Sequence, residues 1–156
     1  MGTNKKYSGY KSFQYLEAGK DYKVFKLAKE VDRVEPYVLP LGREEEARAQ
    51  KLAAEKIVIS LHEHPVAWVA DMKEIFEFNR EGRHVTAFEG LSTSCLDAVF
   101  DNLMDGVCTI TSKGGWKWSD VVFDLGMRLC DLAHQDFIIR GEGIEDIHRA
   151  HREGKI

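Results

Sequence analysis

Ile57-Val58-Ile59-Ser60-Leu61-His62-Glu63-His64-Pro65 is the stretch from which the rest of the chain is read. Its first five residues are mostly apolar and β-branched, the pattern of a strand buried on both faces, although a buried helix segment has the same periodicity. Pro65 cannot donate to a ladder and ends it. Side chains alternate across a strand, so His62 and His64 project to one side of its C-terminal end and Glu63 to the other. Two imidazoles on one side can share a metal ion, for which histidine is the commonest ligand. In barrels and open sheets of parallel strands, ligands gather at the C-terminal strand ends, where this pair falls. The competing reading is a pair of hydrogen-bonded loop histidines. A catalytic zinc takes three protein ligands and an open position, so at least one further ligand has to come from elsewhere.

Upstream, residues 43–55 are strong helix formers with acid in the first turn, which predicts a helix delivering the chain into this strand. Downstream, Val66, Val69, Met72, Ile75 and Phe76 recur at three- and four-residue steps and predict a helix over 66–79, ended by Gly82. Ser94 is a candidate cap for a helix over 95–104. Val107-Cys108-Thr109-Ile110-Thr111 reads as a second strand, followed by the glycine loop Ser112-Lys113-Gly114-Gly115-Trp116. A helix over 119–135 follows, with Val121, Val122, Leu125, Leu129, Leu132 and Ala133 along its apolar side. Phe137-Ile138-Ile139-Arg140 reads as a third strand and 144–153 as a last helix, after which Lys155-Ile156 looks like the first step of a fourth strand. Strand and helix alternate, so the expected class is α/β with parallel βα repeats. Three strands leave two edges open to further strands.

Residues 1–42 form a separate section, an N-terminal arm and an irregular connector punctuated by Pro36 and Pro40. Tyr7, Tyr10, Phe13 and Tyr15 favour docking of this arm over a freely disordered tail. Its lysines, Lys5 among them, are interleaved with acids and read as a solvated face. At 156 residues the chain is long enough for one domain with a core, but short of the roughly 250 of a complete eight-fold barrel. A net charge of −4 gives no footprint for nucleic acid. No apolar run approaches the roughly 18 residues of a membrane span, and the polar N-terminus is no secretory signal. Cys95, Cys108 and Cys130 sit in apolar patterns and read as buried, reduced thiols, which points to the cytoplasm.

From Ile57 onward the order of features resembles the membrane, or renal, dipeptidase family of zinc metallopeptidases in the amidohydrolase superfamily. The family's first strand ends in His-x-Asp shortly before a proline. Here His62 and His64 stand at those positions, and His-x-His is the commoner form across the superfamily. Gly143-Ile144-Glu145-Asp146-Ile147-His148-Arg149-Ala150-His151-Arg152-Glu153-Gly154-Lys155-Ile156 looks like the family's helix leading into the strand that carries its metal-bridging glutamate. The likeness spans about the last 100 residues and leaves the arm largely unexplained.

The resemblance implies that residues 43–156 are the first βα units of a (β/α)8 TIM-type barrel, incomplete in this chain. It also implies hydrolysis of a peptide or amide-type bond by a metal-activated water. The metal would be divalent, zinc and dinuclear when complete, with His62 and His64 as ligands. A complementary chain would supply the remaining barrel and ligands, and the chain alone would be inactive. Ser112, Lys113 and Trp116 either line the pocket for a dipeptide-like small molecule, from their position on the rim, or form a glycine turn with a packed tryptophan. Two other readings stand beside this one: a non-catalytic subunit completing or regulating a homologous partner, and a dinuclear iron or manganese oxygenase on the same scaffold. His148 and His151 read as surface residues, His134 as a helix-end residue, and His84 as a loop residue without assignment. The run Ser92-Thr93-Ser94 lacks the surroundings of a nucleophile and reads as helix-terminal.

Overall fold

A computed structural model describes residues 4–102 and 117–156. In chain order these hold α1 (Arg43–Glu55), β1 (Ile59–Glu63), β2 (Val66–Ala67), a 3-10 turn (Met72–Glu74) running into α2 (Ile75–Glu81), β3 (Val85–Thr86), α3 (Phe88–Thr93), β4 (Ala98–Asp101), α4 (Trp118–Leu132) and α5 (Ile144–Glu153). The chain is a mixed α/β protein, with β1 and β4 paired in parallel and β2 and β3 antiparallel. The described residues do not close a barrel. The expected strand over 107–111, Cys108, and the loop residues Ser112, Lys113 and Trp116 lie outside them.

Helices with strong local signals form where the sequence predicts. The acids Glu44, Glu45 and Glu46 fill the first turn of α1, and the Gly42 amide donates to Glu45 Oε2 at 2.8 Å. In α5 the amides of Glu142 and Gly143 donate to Asp146 Oδ2 at 2.9 and 3.2 Å. Its far end closes on Gly154 at φ 71°, a left-handed cap that glycine takes without strain. The Gly154 carbonyl then accepts from the Lys6 amide at 2.8 Å, which fastens the N-terminal arm to this helix end.

Two predicted helices give way in part to strand, at Val66–Ala67 and Ala98–Asp101, while Ile75–Glu81 keeps the second half of the first as helix. Over 66–79, the Val66-Ala67 pair joins β3, Ala28 N–H donates to Trp68 O, and Ala70 N–H donates to Lys26 O, both at 2.8 Å. Ala67 and Val69, two residues apart, face the core, whereas Met72 and Phe76 are exposed. The two-residue period therefore prevails near Pro65, and helix begins only after Asp71, whose carboxylate accepts from Lys73 N–H. Over 95–104, β4 takes Ala98–Asp101 because Val99 and Phe100 suit a strand and β1 offers free carbonyls and amides. Ser94 instead closes α3, its hydroxyl donating to Leu91 O at 2.7 Å.

The strand expected over 137–140 does not form among the described residues, where 137 and 138 lie in a bend; the segment nonetheless meets residue 156, with Ile156 N–H donating to Phe137 O at 3.1 Å and Ile139 N–H to Ile156 O at 2.6 Å. Those two bonds have the pattern of a single parallel bridge, with α5 lying between its two sides. The core lies beneath it, where Tyr10, Phe88, Leu91, Phe137 and Ile156 are buried together, with Tyr10 edge-on to Phe88. The N-terminal arm thus packs on its own chain. Tyr10 Oη, Ser12 Oγ and the Phe13 amide all donate to the fully buried Asp131 of α4, at 2.7, 2.6 and 2.9 Å.

Three burial expectations are overturned. β1 is not covered on both faces: Leu61 is 77% exposed, because among the described residues β4 is its one neighbour in the sheet and α1 buries none of its residues. The helix α4 turns Asp124, Met127, Arg128 and Asp131 inward and leaves Val122, Leu125 and Leu129 outside. Its charged stripe finds partners inside, which is what makes that orientation stable. Cys95 and Cys130 are free and exposed.

Candidate metal centre

The register of β1 against β4 shapes the histidine pair. Ser60 lies opposite Val99 and Glu63 opposite Asp101, so β1 has one residue more than β4 over this interval, a bulge that contains His62. Bulges of this kind re-aim a side chain at a strand end. Here His62 and His64 converge, with Nε2 to Nε2 at 3.1 Å and ring planes at 82°. Glu63 is turned aside, its Oε1 accepting from Ser60 Oγ at 2.6 Å.

His64 is oriented from behind. Its Nδ1 lies 3.1 Å from the Asn102 carbonyl oxygen, which can only accept, so Nδ1 carries a proton and, in the neutral ring, Nε2 carries the lone pair. That is the outer support usually found behind a metal-ligating histidine. Two zinc–nitrogen bonds of about 2.0–2.1 Å at a tetrahedral angle place their nitrogens about 3.3 Å apart. The pair therefore has both the donor chemistry and the spacing for one divalent ion. Among the described residues no third His, Cys, Asp or Glu joins them.

Three of the other four histidines have structural partners, and His148 is exposed on α5. The His134 imidazole stacks on Tyr15, and its Nδ1–H donates to Cys130 O at 2.7 Å. His151 Nδ1 lies 3.1 Å from Asp97 Oδ1, so it is no bare surface residue. His84 does lie in the loop before β3, but it is buried there, parallel to Phe78, with Nδ1 3.3 Å from Asp124 Oδ1. Asp124 Oδ1 is also 3.9 Å from Arg128 Nε, and Arg128 Nη1 reaches Asp101 Oδ2 at 3.0 Å. Sequence reading missed this buried His84–Asp124–Arg128–Asp101 cluster. Its signal was present in the spacing of Asp124, Arg128 and Asp131, which places three charges on one stripe of a helix.

A second cluster joins both ends of the chain. Asp97 accepts from Lys5 Nζ at 2.8 Å and from the Val58 amide at 2.9 Å, beside His151, and Lys5 also donates to Lys155 O at 3.1 Å. Lys5 is therefore buried rather than solvated. Burial by itself raises the Asp97 pKa, but the bonds from Lys5, Val58 and His151 together outweigh it and hold the carboxyl below its ordinary 3.8. Elsewhere, burial followed by the bond to Asp131 pushes the Tyr10 phenol well up. Ser92, Thr93 and Ser94 each donate to a carbonyl three residues back, as helix-terminal hydroxyls do.

No helix among the described residues is long and apolar enough to cross a membrane. No family model, curated protein or solved structure matches this chain.

Proposed function

We propose that this chain contributes the first βα units of a metal-dependent hydrolase barrel of the membrane-dipeptidase type, working in the cytoplasm on a peptide or amide-type bond. The observation that carries the reading is the convergence of His62 and His64 Nε2 at 3.1 Å on a bulged strand end, with His64 held as an Nδ1–H tautomer. A divalent ion bound there, zinc in this reading, would supply Lewis acidity and a water activated near neutral pH. His62 and His64 would present their Nε2 lone pairs, and the Asn102 carbonyl would fix the second ring. Ser112, Lys113 and Trp116 remain the candidates for substrate contact.

Exposed apolar surface supports a complementary chain that supplies the remaining ligands. Among the described residues β1 has an edge that no strand pairs, carrying the exposed Leu61, and a groove of about 700 Å³ is lined by Val99 and Phe100 of β4 and by Ile138, Ile139 and Ile147. Along α4, Trp118, Val122, Leu125 and Leu129 form an exposed apolar stripe. Open strand edges and stripes of this kind are stable when further elements pair with them.

Native mass spectrometry of the protein isolated from its own source tests the proposal by reading partner mass and bound metal together. The expected result is a metal-bearing complex with a larger chain, and loss of that metal in the His62→Ala/His64→Ala double variant. Full metal occupancy in the double variant would remove the two histidines from the site, and a metal-free assembly of this chain with itself would overturn the hydrolase reading.

A further inference from the structure

Behind the histidine pair, a row of contacts runs from the interior of the fold to the ring of His64. Arg128 is buried on α4 and lies against Asp124, which in turn lies against His84. Its Nη1 meets Asp101 Oδ2 at 3.0 Å. Asp101 ends β4 opposite Glu63, and the next residue, Asn102, donates its amide to Glu63 O at 2.9 Å. The Asn102 carbonyl takes the Nδ1–H of His64. The guanidinium is thus three links from the imidazole, and each link is a contact of definite geometry.

From this arrangement we infer that Arg128, acting through Asp101, is a positioning residue for His64: it fixes the end of β4 so that the Asn102 carbonyl selects the Nδ1–H tautomer and leaves Nε2 free for a metal. The inference rests on the metal reading only for its purpose. The tautomer itself is a property of the metal-free chain. β4 is short and β1 is bulged beside it, and the Asn102 amide holds to Glu63 O at 2.9 Å where the ladder ends. To that end Arg128 adds a charge-assisted contact from a packed helix, Nη1 to Asp101 Oδ2 at 3.0 Å. On its other side the guanidinium has the Asp124 carboxylate 3.9 Å from Nε, a charged neighbour on the same inward stripe of α4. A further consequence concerns His62. With the His64 Nε2 unprotonated, the 3.1 Å contact in the metal-free chain requires His62 to donate from Nε2, and metal binding would then move that proton to His62 Nδ1 or to solvent.

The test is the histidine side-chain nitrogen spectrum of the full chain, free of metal and recorded at about pH 8.5, well above the ordinary histidine pKa of about 6.5. In the wild type, His64 is expected as the Nδ1–H form and His62 as the Nε2–H form. Asp101→Ala should return His64 to a mixture of tautomers, and Asp101→Asn, which keeps an acceptor for the guanidinium, should stay at the wild-type pattern. Arg128→Lys, which keeps the buried charge and so protects the fold, should reproduce the mixture. Zinc titration of the same proteins, assembled with the complementary chain, should show about 10-fold weaker binding in Asp101→Ala and Arg128→Lys. An unchanged His64 spectrum in folded Asp101→Ala would overturn the inference, as would an Asn variant disturbed as much as the Ala variant. Tautomer changes in an assembly that binds no zinc even as wild type would uphold the positioning role and overturn the metal reading, so the two can fail separately.

Discussion

Replacing Asp97 by alanine should unfasten the N-terminal arm and the start of β1 from α5 in one step. The carboxylate receives Lys5 Nζ at 2.8 Å and Val58 N–H at 2.9 Å and faces His151 Nδ1 at 3.1 Å, while the side chains of Asp97 and Lys5 are 7% and 6% exposed. Removing one partner of a buried ion pair costs about 3–5 kcal/mol, chiefly because the other charge is left without compensation. Lys5 keeps its bond to Lys155 O and His151 remains partly hydrated, so the lower end, about 3 kcal/mol, is expected. For a chain of this size that lowers the melting temperature by about 6–12 °C. The pH dependence has a definite sign. The folded-state pKa of Asp97 lies below its ordinary 3.8, so its contribution is complete above that value and is lost as pH falls through the folded pKa. Urea unfolding of wild type, Asp97→Ala, Lys5→Met and the double variant, each from pH 3 to pH 7, isolates the pair. A loss below about 1 kcal/mol for Asp97→Ala at pH 7, in the range of exposed ion pairs, would refute the reasoning.

Asp131→Ala removes the acceptor of Tyr10, Ser12 and the Phe13 amide at a fully buried site, and should cost about 2–3 kcal/mol and raise hydrogen exchange across the arm; unchanged exchange would count against the docking described above. Gly154→Ala places a methyl group 2.4 Å from Asn4 O at a φ of 71°, and should lower stability by more than 1 kcal/mol, on the order expected for left-handed strain alone, as read by thermal unfolding.

Legibility in the sequence followed the range of the forces at work. α1 and α5 were readable because a short run of helix formers, first-turn acids and a terminal glycine decide them locally. The first half of the helix expected over 66–79, and residues 98–101 of the one expected over 95–104, take strand instead because Ala67, Val69, Val99 and Phe100 answer to partners far along the chain: Leu27, β3 and β1. Short apolar runs support either period, and pairing chooses between them. Cys95 and Cys130 were misjudged for a related reason, since an apolar neighbourhood in sequence does not say which face meets the core.

The site divides in the same way. That His62 and His64 face one side follows from strand alternation, and Pro65 marks the strand's end. Their separation of 3.1 Å depends on the bulge in register with β4, and the proton on His64 depends on a carbonyl 38 residues away. The sequence by itself therefore determined the mixed α/β character, the local helices and the histidine pair, because propensity, capping and alternation act within a few residues. Only the tertiary structure decided which stripe of α4 is buried, where Lys5 and His84 find their carboxylates, and what orients His64, because each depends on charges brought together from distant parts of the chain.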